Sequence, residues 1–248
     1  MKSSKFLACA IAVIAIAGCN SKQGDAATNT PVKVKAVPPP KGGDWSTVVT
    51  ATPEGGFMMG NPNARVKLIE YGSLTCPHCR EFDEKGVPLL IANYVKTGVV
   101  SWEFRNYVRD AFDLTASLIA RCNGEKSFFP MSRSLYKDQA IWVAKVQATP
   151  PDQIEKLQNL PENQQFVELA KVAGFQEYAA ARGVPAARSN QCLADETTIN
   201  QLVQMTSDAT SQYPDFPGTP TFILNGKMLE QAGTWGALEP KLRAELGG

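Results

Sequence analysis

Two cysteines separated by two residues form the most reactive group of this sequence, Cys76-Pro77-His78-Cys79. The group follows an apolar run at residues 66–71 and precedes residues that favour a helix. A Cys-x-x-Cys pair at a helix start brings two sulfurs within bonding range, while the unpaired N–H groups of the first turn point at the first sulfur. The positive helix end favours the thiolate of Cys76, which is the species that performs thiol–disulfide exchange. The pattern therefore predicts a redox-active pair.

The two residues between the cysteines are predicted to tune this chemistry. His78 is the only histidine of the chain, and a titratable imidazole beside Cys76 would stabilise a thiolate. Pro77 falls in the first turn of the expected helix, where a missing N–H costs nothing.

Three other uses of the pair are less favoured. Zinc normally takes four ligands, and no second histidine or nearby cysteine is present. Haem attachment requires a histidine directly after the second cysteine, where this chain has Arg80. A purely structural clip is the third alternative, but so short a loop removes little chain entropy. We expect no metal and no cofactor.

The first residues indicate export. A short basic start at residues 1–5 precedes an apolar stretch at 6–17 that is too short to span a bilayer. Residues 16–19, Ile-Ala-Gly-Cys, resemble the bacterial lipobox, which implies cleavage before Cys19 and lipid attachment to its sulfur. The alternatives are an ordinary signal peptide or an uncleaved anchor. We expect a signal peptide at 1–18, a lipid-anchored flexible linker at 19–43, and a location in the periplasm or cell envelope.

The cysteine count agrees with that compartment, and the charge balance bears on the partners. Removal of residues 1–18 would leave 23 basic residues against 24 acidic ones, a balance that suggests no nucleic-acid partner. Cys9 would leave with the signal, and Cys19 would carry lipid. With Cys76 and Cys79 paired, the even remainder is Cys122 and Cys192. We predict that these two form a structural disulfide, with two separate buried thiols as the alternative.

Local patterns give an order of elements. Strands are expected at residues 46–51, 65–71, 99–108 and 221–224, the last followed by a turn and a hairpin partner at 227–229. Residues 53–63 are expected to form a loop or a ragged hairpin. A helix is expected at 76–95, with a kink or break at Pro88, and a last helix at 235–246. Between 110 and 213 only helical runs occur, at 114–123, 128–146, 154–157, 164–173, 175–181 and 197–212.

This order is that of a thioredoxin-like sheet with a helical domain inserted between its halves. Over about residues 45–248 the chain resembles bacterial periplasmic DsbA-like thiol:disulfide oxidoreductases, in a lipid-anchored form. The resemblance is most specific at residues 70–79 and 218–226. It implies an α/β fold in which helices flank a central mixed sheet, one domain at 44–248, and an all-helical insertion at about 110–213.

The resemblance also assigns roles. It implies that Pro220 is a cis proline facing the cysteines, and that Glu70 is a buried acid that tunes the proton on Cys79. A trans proline and a solvent-facing carboxylate are the alternatives. Thr219, before the proline, is more usual in disulfide isomerases, whereas oxidases often carry valine there.

The function expected from the resemblance is donation of the Cys76–Cys79 disulfide to folding secreted proteins. The expected partners are reduced or misoxidised proteins and a membrane redox protein, and the chain is expected to be a monomer. Two alternatives are an isomerase or reductase kept reduced by a membrane partner, and a lipid-anchored binding or chaperone module without turnover.

Overall fold

The structure is a computed structural model that describes residues 35–40 and 43–247. The expected signal peptide at 1–18, the lipidation site Cys19 and most of the expected linker lie outside these residues. Within the described part of the chain, no helix has both the length and the apolar character needed to cross a membrane.

A six-stranded sheet forms the centre of the described chain. Its strands are β1 (Val49–Ala51), β2 (Phe57–Gly60), β3 (Val66–Gly72), β4 (Val100–Asn106), β5 (Thr221–Leu224) and β6 (Lys227–Met228). They are ordered β1-β2-β4-β3-β5-β6. Only β3 and β4 pair in parallel, and the other neighbours are antiparallel. The expected mixed sheet is confirmed.

Most of the helices lie, in chain order, between the strands of the first half of the sheet (β1 to β4) and those of the second half (β5 and β6). The helices are α1 (Pro77–Lys85), α2 (Val87–Leu90), α3 (Ala111–Arg121), α4 (Glu125–Lys137), α5 (Gln139–Gln147), α6 (Pro151–Gln158), α7 (Glu162–Ala173), α8 (Phe175–Ala180), α9 (Ala186–Leu193), α10 (Glu196–Gln212) and α11 (Trp235–Leu246). A π-helical turn covers Ile91–Val95, and a 3-10 turn covers Trp45–Thr47. Helices α3 to α10 all follow β4 and precede β5, so the expected helical insertion in an α/β fold is confirmed.

Strand β3 positions Glu70 and the loop that leads to Cys76, because its side chains alternate between the two faces of the sheet. Side chains along a strand point alternately to the two faces of a sheet, so Val66, Leu68 and Glu70 share one face. Val66 and Leu68 belong to the large apolar core. Tyr71 points to the other face, where it packs with Ala209 of α10. The strand thus carries Glu70 into an apolar interior and ends four residues before Cys76.

One local expectation near the sheet is confirmed and another needs correction. Of the loop or ragged hairpin expected at residues 53–63, the hairpin is observed, because strand β2 pairs antiparallel with β1 and also with β4, and Phe57 is buried and stacks on Phe128. The expected helix at 76–95 is interrupted, as anticipated, but at Gly86 rather than at Pro88. Pro88 lies in the first turn of α2, where its missing N–H is harmless.

Two further corrections concern the helical insertion. The single run expected at 128–146 is two helices, α4 and α5, separated at Asp138. Helix α9 was not expected at all. It follows Pro185, ends at Leu193 and carries Cys192.

Candidate active site

Cys76 is the N-cap residue of α1, at the end of the loop that follows β3. Its backbone is extended, with φ −80° and ψ 122°, and Pro77 follows in the first turn. No side chain caps this helix end, so the first N–H groups of the helix remain available to a charge near Cys76.

The two cysteines are free thiols in different environments. Cys76 is 4% exposed and Cys79 is 0% exposed, so an incoming thiolate can reach only Cys76. A hydrogen bond from Cys79 is the largest effect that lowers the pKa of Cys76, to about 5. The Thr219 side chain and the backbone N–H groups of Cys79 and His78 lower this pKa further, whereas burial opposes them.

Cys79 has the opposite character. Burial raises the pKa of its thiol well above the ordinary value, and the neighbouring Cys76 raises it further. The backbone N–H of Ser73 lies 3.5 Å from its sulfur. The site therefore contains one thiol that ionises readily and a second that holds its proton.

A cis peptide bond lies beside the first thiol. The bond joins Thr219 and Pro220, and the Cys76 Sγ lies 3.2 Å from the carbonyl oxygen of Thr219. Pro220 has no backbone N–H. The backbone beside Cys76 therefore presents the Thr219 carbonyl as an acceptor and has no N–H donor at the next residue. The loop before β5 and the start of α1 thus form one surface, although 143 positions separate Cys76 and Thr219 in the chain.

Glu70 is a buried acid beneath the pair. It is 2% exposed, and the indole Nε1 of Trp102 donates a hydrogen bond of 3.1 Å to its Oε2. Burial raises the pKa of Glu70 to about 8, with smaller upward contributions from Asp83 and Cys76. This carboxyl group therefore changes its protonation state near neutral pH.

Asp83 is a second buried acid, which the sequence analysis missed. It lies one helical turn after Cys79 and is 6% exposed. Burial raises the pKa of Asp83 to about 6, against the effect of Arg133 at 3.4 Å. Glu70, Asp83 and the Ser132 hydroxyl line one small cavity, and that hydroxyl has no hydrogen-bond partner among the described residues. The i+4 spacing from Cys79 was the available signal, because residues so spaced share a helix face.

The remaining expected residues contribute no side chain to the surroundings of the two sulfurs among the interactions described above. Pro77 and His78 are exposed on the first turn of α1. Cys122 and Cys192 are joined by a disulfide with a Cα–Cα distance of 5.5 Å, which links the end of α3 to α9. The structure thus brings together Glu70, the cysteine pair and the Thr219–Pro220 peptide.

A model of the family described as Thioredoxin matches residues 52–243. The chain belongs to this thioredoxin family. Two rickettsial relatives are provisionally named protein-disulfide oxidoreductases. The protein of Rickettsia bellii is 28% identical over 178 residues, which cover 71% of this chain and 60% of the relative. That of Rickettsia prowazekii is 26% identical over 175 residues, covering 70% and 56%. The chain therefore spans a little over half of the length of these relatives.

Solved structures extend the comparison to nearly complete chains. A protein-disulfide isomerase from Novosphingobium aromaticivorans is 31% identical, with a TM-score of 0.73, and the match covers 77% of this chain and 97% of that chain. Alpha-DsbA1 of Wolbachia pipientis is 20% identical with a TM-score of 0.60, covering 77% and 90%. The second match shows a shared fold. The thioredoxin-like fold and the likeness to DsbA-like proteins expected from the sequence are confirmed.

Proposed function

We propose that this protein is a thiol:disulfide oxidoreductase that donates its Cys76–Cys79 disulfide to folding proteins. The observation that carries the proposal is the contrast between the two thiols. Cys76 has a lowered pKa and residual exposure, whereas Cys79 is buried with a raised pKa. A stabilised thiolate is a good leaving group, and a pair that is stabilised in its reduced form is a strong oxidant. The names of the rickettsial relatives agree with this chemistry.

The reaction begins with the oxidised pair. A substrate thiolate attacks the Sγ of Cys76, the Cys76–Cys79 bond breaks, and Cys79 leaves as a thiolate that takes up a proton. Glu70 is the acid placed to supply or direct that proton, because its pKa of about 8 lies near neutral pH. A second substrate thiolate then attacks the substrate sulfur of the mixed disulfide and releases the Cys76 thiolate. Two electrons pass from the substrate dithiol to the cysteine pair.

The cis peptide supplies a place for the substrate chain. The Thr219 carbonyl borders the reacting sulfur at 3.2 Å, and an extended peptide can pair with backbone groups at such an edge. We infer that Thr219 and Pro220 orient the substrate while Cys76 reacts.

The cell envelope is the compartment proposed for this activity. The support is the sequence at residues 1–19, with its apolar stretch and its lipobox-like end at Cys19. The inferred organisation is a signal peptide at 1–18, a lipidated linker at 19–43 and a catalytic domain at 44–248. A membrane protein that re-oxidises the pair completes the cycle, and the protein acts as a monomer.

Disulfide isomerisation is the second candidate. Two observations favour it, namely Thr219 before the cis proline and the 31% identity to a protein named as a disulfide isomerase. An isomerase needs the pair reduced, so that the Cys76 thiolate attacks a wrong disulfide of the substrate and is later released without net oxidation.

Three assays with purified protein separate these functions. The oxidised protein is mixed with a reduced, unfolded disulfide protein, and the reduced protein is assayed for insulin reduction and for rescue of a scrambled disulfide protein. The oxidase proposal predicts stoichiometric substrate oxidation that Cys76→Ser abolishes. Rescue of scrambled substrate without such oxidation would favour the isomerase. Inactivity in every assay would contradict both redox functions and favour a binding or chaperone module without turnover.

A further inference from the structure

The loop that joins β3 to Cys76 is held by side chains of the helical insertion. Asp113 of α3 accepts hydrogen bonds from the N–H of Leu74 at 2.8 Å and from the Ser73 hydroxyl at 2.5 Å. The Tyr136 hydroxyl of α4 donates to the Ser73 carbonyl at 3.2 Å. The conformation of the loop thus depends on residues more than thirty positions away.

Gln139 makes the contacts closest to the reactive cysteine. It is the first residue of α5 and is 4% exposed. Its side-chain Nε2 donates to the carbonyl of Leu74 at 2.7 Å and to the carbonyl of Cys76 at 3.1 Å. A primary amide has two N–H hydrogens, and both are used on the backbone of this loop.

The Cys76 carbonyl has a second partner inside α1. The Arg80 N–H donates to it at 3.2 Å, which is the first backbone hydrogen bond of the helix. Gln139 therefore holds the peptide group at which α1 begins. The orientation of that group sets the direction of the next N–H groups, and those of His78 and Cys79 stabilise the Cys76 thiolate.

The break between α4 and α5 accounts for the position of Gln139. Asp138 separates the two helices and accepts a hydrogen bond of 2.8 Å from the Tyr178 hydroxyl and one of 3.2 Å from Arg182. These contacts fix the turn that directs Gln139 inwards. An uninterrupted helix would give the side chain a different direction.

We propose that Gln139 is a positioning residue for Cys76, which fixes the N-terminal turn of α1 by binding the Leu74 and Cys76 carbonyls. The inference rests on the proposed function, because it concerns the reactivity of the same thiol. Gln139 carries no charge, and the titratable groups around the cysteine pair are Glu70, His78, Asp83, Asp113 and Tyr136, besides the thiols themselves. Gln139 can therefore change the ionisation of Cys76 only through the backbone that it holds.

The test compares Gln139→Met with a matched control. Methionine has a similar length and no donor, so the two carbonyls lose their partner. Asn61→Leu is the control, because the Asn61 amide is also 4% exposed and donates to a backbone carbonyl, that of Gly98, at 3.0 Å. The Asn61 Oδ1 also accepts a hydrogen bond of 2.9 Å from the Asn63 N–H, so the control variant, like Gln139→Met, loses two hydrogen bonds. Asn61 precedes β3, whereas Cys76 follows it, so these bonds lie at the opposite end of the strand. Gln139→Leu is a second variant that also removes both amide donors and adds no charge near Cys76.

The readouts are urea unfolding, the pH dependence of Cys76 alkylation in the reduced protein, and the equilibrium with glutathione. Both Gln139→Met and Asn61→Leu are expected to unfold at lower urea concentration. Only the Gln139 variants are expected to raise the alkylation midpoint, by about half a pH unit or more. This shift corresponds to about a threefold fall in the equilibrium constant for oxidation of glutathione.

Two outcomes contradict different claims. If Cys76 had the wild-type alkylation midpoint in both Gln139 variants, the positioning role would be wrong, whereas the proposed function would be unaffected. If Cys76 of the wild-type protein ionised at the pH of an ordinary cysteine, the proposed function itself would be contradicted.

Discussion

Trp102 of β4 donates a hydrogen bond of 3.1 Å from its indole nitrogen to the buried carboxylate of Glu70. An uncharged donor stabilises a carboxylate less than an ion pair does. Burial therefore prevails, and the pKa of Glu70 is raised to about 8. This relationship leaves a group that exchanges protons near neutral pH directly below the two cysteines.

Glu70→Gln is predicted to change how stability depends on pH. Because the pKa of Glu70 is raised from 4.5 to about 8 in the folded reduced protein, the fold binds more protons than the unfolded chain between these values. Its contribution to stability is present below pH 4.5 and is lost as the pH rises to about 8. Glutamine does not titrate, so Glu70→Gln lacks this pH-dependent loss of stability. The difference in the free energy of unfolding, variant minus wild type, should therefore increase by about 3 kcal/mol between pH 5 and 8.

Urea unfolding of the reduced proteins at several pH values measures this difference. Glu155→Gln, at an exposed carboxylate of α6, is the control and should show a constant difference from wild type. A constant difference for Glu70→Gln as well would mean that Glu70 is ionised throughout.

Thr219→Val is predicted to weaken the Cys76 thiolate. The Thr219 side chain lowers the pKa of Cys76 by a hydrogen bond, and valine has the same shape without the hydroxyl. The alkylation midpoint should rise by about half a pH unit, and the equilibrium constant for glutathione oxidation should fall about threefold. Thr219→Ser keeps the hydroxyl and should stay near wild type. Equal alkylation midpoints in Thr219→Val and Thr219→Ser would show that the hydroxyl does not stabilise the Cys76 thiolate.

His78→Ala is predicted to have a smaller effect than Thr219→Val. The sequence analysis assigned tuning to the imidazole, but the structure places this side chain at the surface and uses the backbone N–H of His78 towards Cys76. Alanine keeps that N–H, so the alkylation midpoint should move by less than about 0.3 pH units. A shift larger than that of Thr219→Val would restore the imidazole as the main tuning group.

The paired change Cys122→Ala with Cys192→Ala is predicted to affect stability and to leave the redox site unchanged. The bond spans a sequence separation of 70, and opening such a loop costs about 4 kcal/mol by the chain-entropy relation. Urea unfolding should record the loss, whereas the alkylation profile of Cys76 should be that of wild type. A shifted Cys76 profile would show that this disulfide is coupled to the redox site.

Several parts of the site follow from short-range sequence rules. The Cys-x-x-Cys spacing before a helical run gives the N-cap position of Cys76. The alternation through Val66 and Leu68 places Glu70 on the buried face of β3, although the sequence alone left a solvent-facing strand end open. Proline chemistry also predicts an interruption within the helical run at 76–95, although the observed break lies at Gly86, two residues before Pro88.

Other parts depend on tertiary contacts that no local pattern contains. The sequence predicted one helix at 128–146 that contained Gln139, because the turn at Asp138 is fixed by Tyr178 of α8 and by Arg182 in the turn after α8. For Asp83 the i+4 spacing from Cys79 was a local signal of a shared helix face, but this spacing does not distinguish a buried acid from a surface acid of an amphipathic helix. Its burial results from the packing of α4, which brings Arg133 to 3.4 Å.

The ionisation of Cys76 is the quantity on which the account depends most directly. Thiolate absorbance of the reduced protein, titrated against pH with Cys76→Ser as the blank, measures it without a substrate or partner. The account predicts half-ionisation near pH 5, as the hydrogen bonds to Cys76 require. Half-ionisation above about pH 8, as for an ordinary cysteine, would contradict it.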